Sequence, residues 1–130
     1  NRNHMALMNP NKILIVEDEE TLALVLKEKF EKNHFSTKVV NDGGKAFAAA
    51  KSYKPNVIAL DLMLPNQNGI DILKELKSDD ATKMIPVIVV SNLMDDTTIK
   101  EALKLGAKDY FVKADHSINE IFEKIKAYIV

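Results

Sequence analysis

The chain has 130 residues, 46% of them hydrophobic, enough to build one core of ordinary domain size. Charged residues make up 28% and the net charge is −1, so no global field draws the chain to nucleic acid or to a membrane surface. Cysteine is absent, which excludes disulfides, thiol catalysis and thiolate metal sites, and no apolar run approaches the ~20 residues of a membrane-spanning helix.

The opening Asn1-Arg2-Asn3-His4-Met5 has the look of an expression-vector scar and carries no signal-peptide pattern. Residues 1–8 are therefore expected to be a scar and disordered leader, with the native start at Met5 or Met8. Residues 9–130 are expected to form one domain, since no composition shift, repeat or linker divides them. Arg2 is the only arginine, which argues against a bidentate phosphate clamp or base readout in the native chain.

Lys12-Ile13-Leu14-Ile15-Val16 is β-branched and apolar, the pattern of a buried strand, and Glu17-Asp18-Glu19-Glu20 follow at once. Glu19 and Glu20 suit a helix amino-terminus, where negative charge complements the macrodipole. Glu17 and Asp18 come straight off the strand and are assigned to binding. The first helix, Glu19 to about Asn33, puts Leu22, Val25, Leu26 and Phe30 on one face. A second strand covers residues 36–40. A second helix, about Gly44 to Tyr53, has an Ala-rich face and cannot continue past Pro55. Asn56-Val57-Ile58-Ala59-Leu60 is the third strand, with Asp61 at its carboxyl end and Pro65-Asn66-Gln67-Asn68-Gly69 as the turn beyond. The third helix, about Ile70 to Lys77, carries Ile72, Leu73 and Leu76. Strand four covers 87–90, with Ser91 after it, and helix four, about Asp96 to Leu105, ends at Gly106 as a left-handed cap. Strand five covers 109–112 and Lys113 follows. Ser117 with Glu120 makes a capping-box pattern for the fifth helix, which buries Ile118, Ile121, Phe122 and Ile125.

Alternating strands and helices with near-continuous apolar strands imply an α/β fold: a five-stranded parallel sheet, doubly wound, with helices on both faces. Right-handed crossovers favour the flavodoxin-like order 2-1-3-4-5, which makes strands one and three neighbours at the topological switch point. Glu17, Asp18 and Asp61 therefore meet at one edge. Three converging carboxylates repel unless they share protons or hold a cation. They are hard oxygen ligands, so Mg²⁺, or Mn²⁺ as a substitute, is the expected guest. Ser91 and Lys113 reach the same edge. A cation, a hydroxyl and an ammonium around one carboxylate suit a phosphoryl group on that carboxylate, with Asp61 as nucleophile.

Gly43-Gly44-Lys45 lacks the upstream glycine and the following Ser/Thr of a phosphate loop and reads as a turn and helix start. His4, His34 and His116 show no ligand spacing, and His34 is expected at the surface. No helix-turn-helix pattern or basic stripe supports direct contact with nucleic acid.

With acidic residues after strand one, Asp after three, Ser after four and Lys after five, the chain resembles the receiver domain of bacterial two-component response regulators, the single-domain chemotaxis regulator included. The resemblance runs from about Lys12 to the carboxyl terminus. It implies that Asp61 accepts a phosphoryl group from the phosphohistidine of a sensor histidine kinase or phosphotransfer protein. It implies Mg²⁺ on Asp18, Asp61 and the backbone carbonyl of Met63, with Glu17 acting through water. Ser91 matches the family's switch hydroxyl, Tyr110 its aromatic switch position and Lys113 its lysine. The resemblance further implies a cytoplasmic regulator rather than an enzyme on free substrates, signalling to a downstream protein through its helix 4/strand 5/helix 5 surface. With no arginine there, a monomer or weak dimer is expected, without direct contact to nucleic acid or membrane. At Ala114 the chain departs from the family, which usually has a cis proline after the lysine. A non-proline cis bond costs ~2.5–4 kcal/mol, so Lys113–Ala114 is expected to be trans. Two alternatives stand beside the switch: an Mg²⁺-dependent phosphatase or phosphotransferase with an aspartyl-phosphate intermediate, and a pseudo-receiver that is never phosphorylated. The first needs a second Asp where Met63 stands. The second does not need the acidic cluster.

Overall fold

The computed structural model describes residues 11–129, so the scar expected at 1–8 lies outside the described residues. Five parallel strands form the main sheet: β1 (Lys12–Val16), β2 (Ser36–Val40), β3 (Val57–Leu60), β4 (Val87–Ser91) and β5 (Asp109–Val112). Their order is β2-β1-β3-β4-β5, as the alternation predicts. The helices are α1 (Glu20–Lys32), α2 (Ala46–Tyr53), α3 (Gly69–Ser78), α4 (Asp96–Leu105) and α5 (Ile118–Lys126).

Because side chains alternate across a strand, the two sheet faces collect two different sets of residues. Leu14, Val16, Ile58, Leu60, Val87 and Val89 face a core shared with the small face of α2, Ile72, Leu73 and Leu76 of α3, and Ala102 of α4. Ile13, Ile15, Val57, Ala59, Ile88 and Val90 face the other core, filled by Leu22, Leu26 and Phe30 of α1 and Ile121, Phe122 and Ile125 of α5. Both faces are covered, which explains why the central strands read as unbroken apolar runs. At the sheet's edge β2 pairs with β1 alone and leaves Lys38 and Val39 exposed.

Four local details differ from the sequence pattern. Val25 is only half-buried, because the stripe of α1 centres on Leu22, Ala23, Leu26 and Phe30 and leaves Val25 on its flank; Ile118 likewise packs at the rim of its core. The second helix starts late. A short 3₁₀ turn, Gly43–Lys45, precedes α2, because the Asp42 side chain accepts from the Gly44 N–H and caps the tighter turn first. Ser91 is the last residue of β4 rather than the first after it, paired with Val112. Finally, the segment read as a plain turn after Asp61 contains an antiparallel hairpin, Met63–Leu64 against Gln67–Asn68. The ends of the other helices follow their signals. Gly106 takes φ 116 after α4, and Ser117 and Glu120 make both bonds of the capping box.

Candidate functional site

Strand order decides the site. With β1 and β3 adjacent, the Asp61 N–H donates to the Val16 carbonyl at 2.9 Å, and the Glu17 N–H donates to Val40 at 2.9 Å. These ladder bonds carry the chain past the strand ends in register and bring Glu17, Asp18 and Asp61 together. One carboxylate oxygen from each lies within 4.8 Å of the others. Glu17 and Asp61 are each 4% exposed, whereas Asp18 is open to solvent.

Lys113 reaches into this cluster from the end of β5. Its Nζ lies 2.8 Å from Asp61 Oδ2 and 2.7 Å from Glu17 Oε1, with Glu19 at 3.6 Å. Burial works against the ammonium charge, but the hydrogen bonds to Asp61 and Glu17 outweigh it and raise the Lys113 pKa. Burial pushes the Glu17 carboxyl up to about 7; the Lys113 hydrogen bond and the Glu19 N–H oppose this, while the Asp61 charge adds to it. The remaining Asp61 oxygen, Oδ1, accepts from the Met63 N–H at 3.0 Å. Three converging carboxylates thus face a single ammonium, and burial leaves one of them unwilling to ionise. Hard oxygen donors short of positive charge fit a divalent cation of the Mg²⁺ or Mn²⁺ kind.

Ser91 is fully buried at the end of β4, and its Oγ accepts from the Leu93 N–H at 3.3 Å. Tyr110, on β5, donates its hydroxyl to the Leu93 carbonyl at 2.5 Å, and burial raises its phenol pKa. Both backbone groups of Leu93 are thereby held by the two side chains singled out as switch positions. The sequence reading missed Leu93 in this role, because backbone partners leave no compositional trace. It also missed Glu19 beside Lys113, and Asn92, whose Oδ1 accepts from the Ala114 N–H at 3.1 Å. That last bond exists because residue 114 is not proline and has an N–H to give. Among the described residues no peptide bond is cis, so Lys113–Ala114 is trans, and Lys113 still reaches Asp61.

Met63, after Asp61, is 54% exposed, and Leu93 is half-buried. His34 is exposed, as expected. Among the described residues no helix is long and apolar enough to cross a membrane.

The family model of the response regulator receiver domain matches residues 13–126. The DNA-binding response regulator MtrA of Mycolicibacterium smegmatis is 34% identical over 102 residues, covering 78% of this chain and 43% of that protein. The chain thus spans less than half the length of that relative. Among solved structures, the Mn²⁺-bound response regulator Rcp1 superposes with a TM-score of 0.78 at 26% identity, covering 91% of each chain. The phosphorylated cyanobacterial phytochrome response regulator RcpA does so with a TM-score of 0.78 at 29% identity, covering 90% of this chain and 89% of its own.

Proposed function

This chain belongs to the response regulator receiver domain family, and from that premise we propose that it is a signalling switch set by phosphorylation of Asp61. The observation that carries the reading is the setting of Asp61. Its carboxylate is buried at a strand end, oriented by the Met63 N–H and paired with Lys113 beside two further carboxylates. The phosphoryl group comes from the phosphohistidine of a sensor histidine kinase or phosphotransfer protein: an Asp61 oxygen attacks phosphorus as the P–N bond to histidine breaks. Asp18, Asp61 and the Met63 carbonyl would hold Mg²⁺ directly, and Glu17 would act on it through a water. When bound, the cation neutralises charge on the phosphoryl oxygens. Lys113 keeps its bond to the site and pairs with a phosphoryl oxygen, and Ser91 offers its hydroxyl to another. Rcp1 with Mn²⁺ and RcpA phosphorylated are consistent with both parts.

The chemistry is self-directed: the domain accepts and loses its own phosphoryl group and turns over no free substrate. The receiver unit is taken as residues 9–130, acting in the cytoplasm on a downstream protein. The test is incubation with a small phosphodonor and Mg²⁺, read by intact-protein mass spectrometry. One stable phosphoryl adduct, absent in Asp61→Asn, is the expected result. Continuous turnover of the donor would favour a phosphatase, and no adduct would favour a pseudo-receiver. Asp18→Ala should abolish both the adduct and the Mg²⁺-dependent rise in melting temperature, since a ligand that binds only the folded state stabilises it by mass action.

A further inference from the structure

The hairpin that follows Asp61 is clamped at three levels. At its base, the Gly69 N–H donates to the Leu62 carbonyl at 3.1 Å, and a Cβ on Gly69 would sit 2.2 Å from Leu62 Cα. At mid-height, buried Gly43 lies against Gln67 so closely that a Cβ there would come within 3.1 Å of Gln67 Cβ. At its tip, the Asn66 side-chain amide donates to Asp42 Oδ2 at 3.2 Å. Asp42 is itself fixed, because its other oxygen caps the 3₁₀ turn through the Gly44 N–H at 2.8 Å. The strand just before it is tied to the acidic pair by the Glu17 N–H on Val40. Asn66 holds φ 71 behind Pro65, a left-handed conformation that asparagine tolerates better than most residues. The tip therefore has a defined shape and a defined partner 24 residues away in sequence.

We propose that Asp42 and Asn66 form a latch that positions the Asp61–Met63 segment, so that contact between the β2–α2 turn and the hairpin tip sets the affinity of the acidic cluster for a divalent cation. The proposal rests on the reading of Met63 and the carboxylates as cation ligands. The connection is mechanical. Met63 is the first residue of the hairpin and orients Asp61 through its N–H. The tip is anchored to the loop after β2, and β2 is bonded to Glu17. Holding the tip fixes Met63 relative to Glu17 and Asp18, whereas a loose hairpin must be ordered at each binding event. Asp42 and Asn66 are positioning residues, and neither is a ligand.

The test is the Mg²⁺ dissociation constant of the whole chain by calorimetry, with the rate of phosphorylation from a small phosphodonor as a second readout. Asp42→Ser keeps a capping oxygen for the Gly44 N–H but deletes the second oxygen, the one that accepts from Asn66. Asn66→Gly keeps the left-handed turn and deletes the amide. Loss of one partly exposed hydrogen bond corresponds to roughly two- to tenfold weaker Mg²⁺ binding in each. Their melting temperatures without metal should change little. The double exchange Asp42→Asn with Asn66→Asp restores a donor–acceptor pair of reversed polarity at unchanged net charge, and should recover affinity. Wild-type affinity in both single variants, or no recovery in the double exchange, would overturn the latch while leaving the switch reading intact. A wild-type chain that does not bind Mg²⁺ would overturn both.

Discussion

Glu17 is where burial and charge conflict most openly. Its carboxyl is raised from an ordinary 4.5 to about 7, burial being the largest cause. Between those values the folded protein keeps a proton that the unfolded chain has released. The associated stability is therefore fully present below the unfolded pKa and is lost as pH rises towards 7. Glu17→Gln keeps the shape and the acceptor for the Glu19 N–H but cannot ionise. Without metal, the urea midpoint of the wild type should fall relative to that of Glu17→Gln as pH goes from about 5 to about 7.5, and parallel pH profiles would refute this. The lifetime of the signal depends on how water reaches the phosphorus. By the family resemblance, Met63 and Leu93 flank the line along which water approaches the phosphorus. Both are apolar, and Met63 is exposed to solvent. Neither can orient a water by hydrogen bonding, so self-dephosphorylation should take many minutes or longer. Met63→Asn with Leu93→Glu should speed it at least about tenfold, a barrier change of only ~1.4 kcal/mol. Loss of the phosphoryl group within seconds in the wild type, followed by phosphate release, would contradict this.

At the scale of elements, the hairpin and its glycines show what the sequence could and could not reveal. Gly69→Ala would place a Cβ against the Leu62 backbone, which cannot rotate away as a side chain would. Overpacking of this kind costs about 1–3 kcal/mol or more, and here it would also displace the loop that carries Asp61. The variant should lose at least about 2 kcal/mol in urea unfolding together with Mg²⁺ binding, and a fully stable variant would show that the hairpin yields easily. The five long strands were legible because runs rich in β-branched or aromatic residues, and the helix signals between them, are local facts, and all five helices followed. The hairpin was not legible. Its strands are two residues each, and it is held by Gly43, Leu62 and Asp42, none of which signals the pairing from within the segment. The same division applies to the site. Asp61, Glu17, Asp18, Ser91 and Lys113 announce themselves at strand ends, whereas the Glu17–Lys113 ion pair and the double hold on Leu93 arise only from packing.

For the whole molecule, the question is what the phosphoryl group changes at a distance. On Asp61 it would add about −1.5 to −2 charge at neutral pH, at the strand edge where the fully buried Ser91 ends β4. A Ser91 hydroxyl turned towards that charge releases the Leu93 N–H. Leu93 is also the residue whose carbonyl holds Tyr110, so the loop before α4 and the ring on β5 are free to move together. On the proposed switch, the surface expected to change is that of α4, β5 and α5. Lys100, Glu101, Lys104 and Lys124 stand exposed on those elements, while the Asp109 carboxylate is already engaged by the Tyr110 N–H and the Tyr128 hydroxyl. On α4, Leu103 is the large apolar side chain left open to solvent. Exposed lysine–carboxylate pairs contribute about 0–1 kcal/mol each, and burying one leucine about 1.5–3 kcal/mol. A homodimer that forms at micromolar concentration needs ~8 kcal/mol after its ordering costs are met. This face, with no arginine for bidentate pairing, falls short of that, so the phosphorylated chain should remain a monomer or weak dimer and signal to a different protein. Sedimentation with and without phosphodonor checks the point: a phosphorylation-dependent homodimer that survives dilution below about 1 μM would show that the face holds more binding energy than its side chains account for.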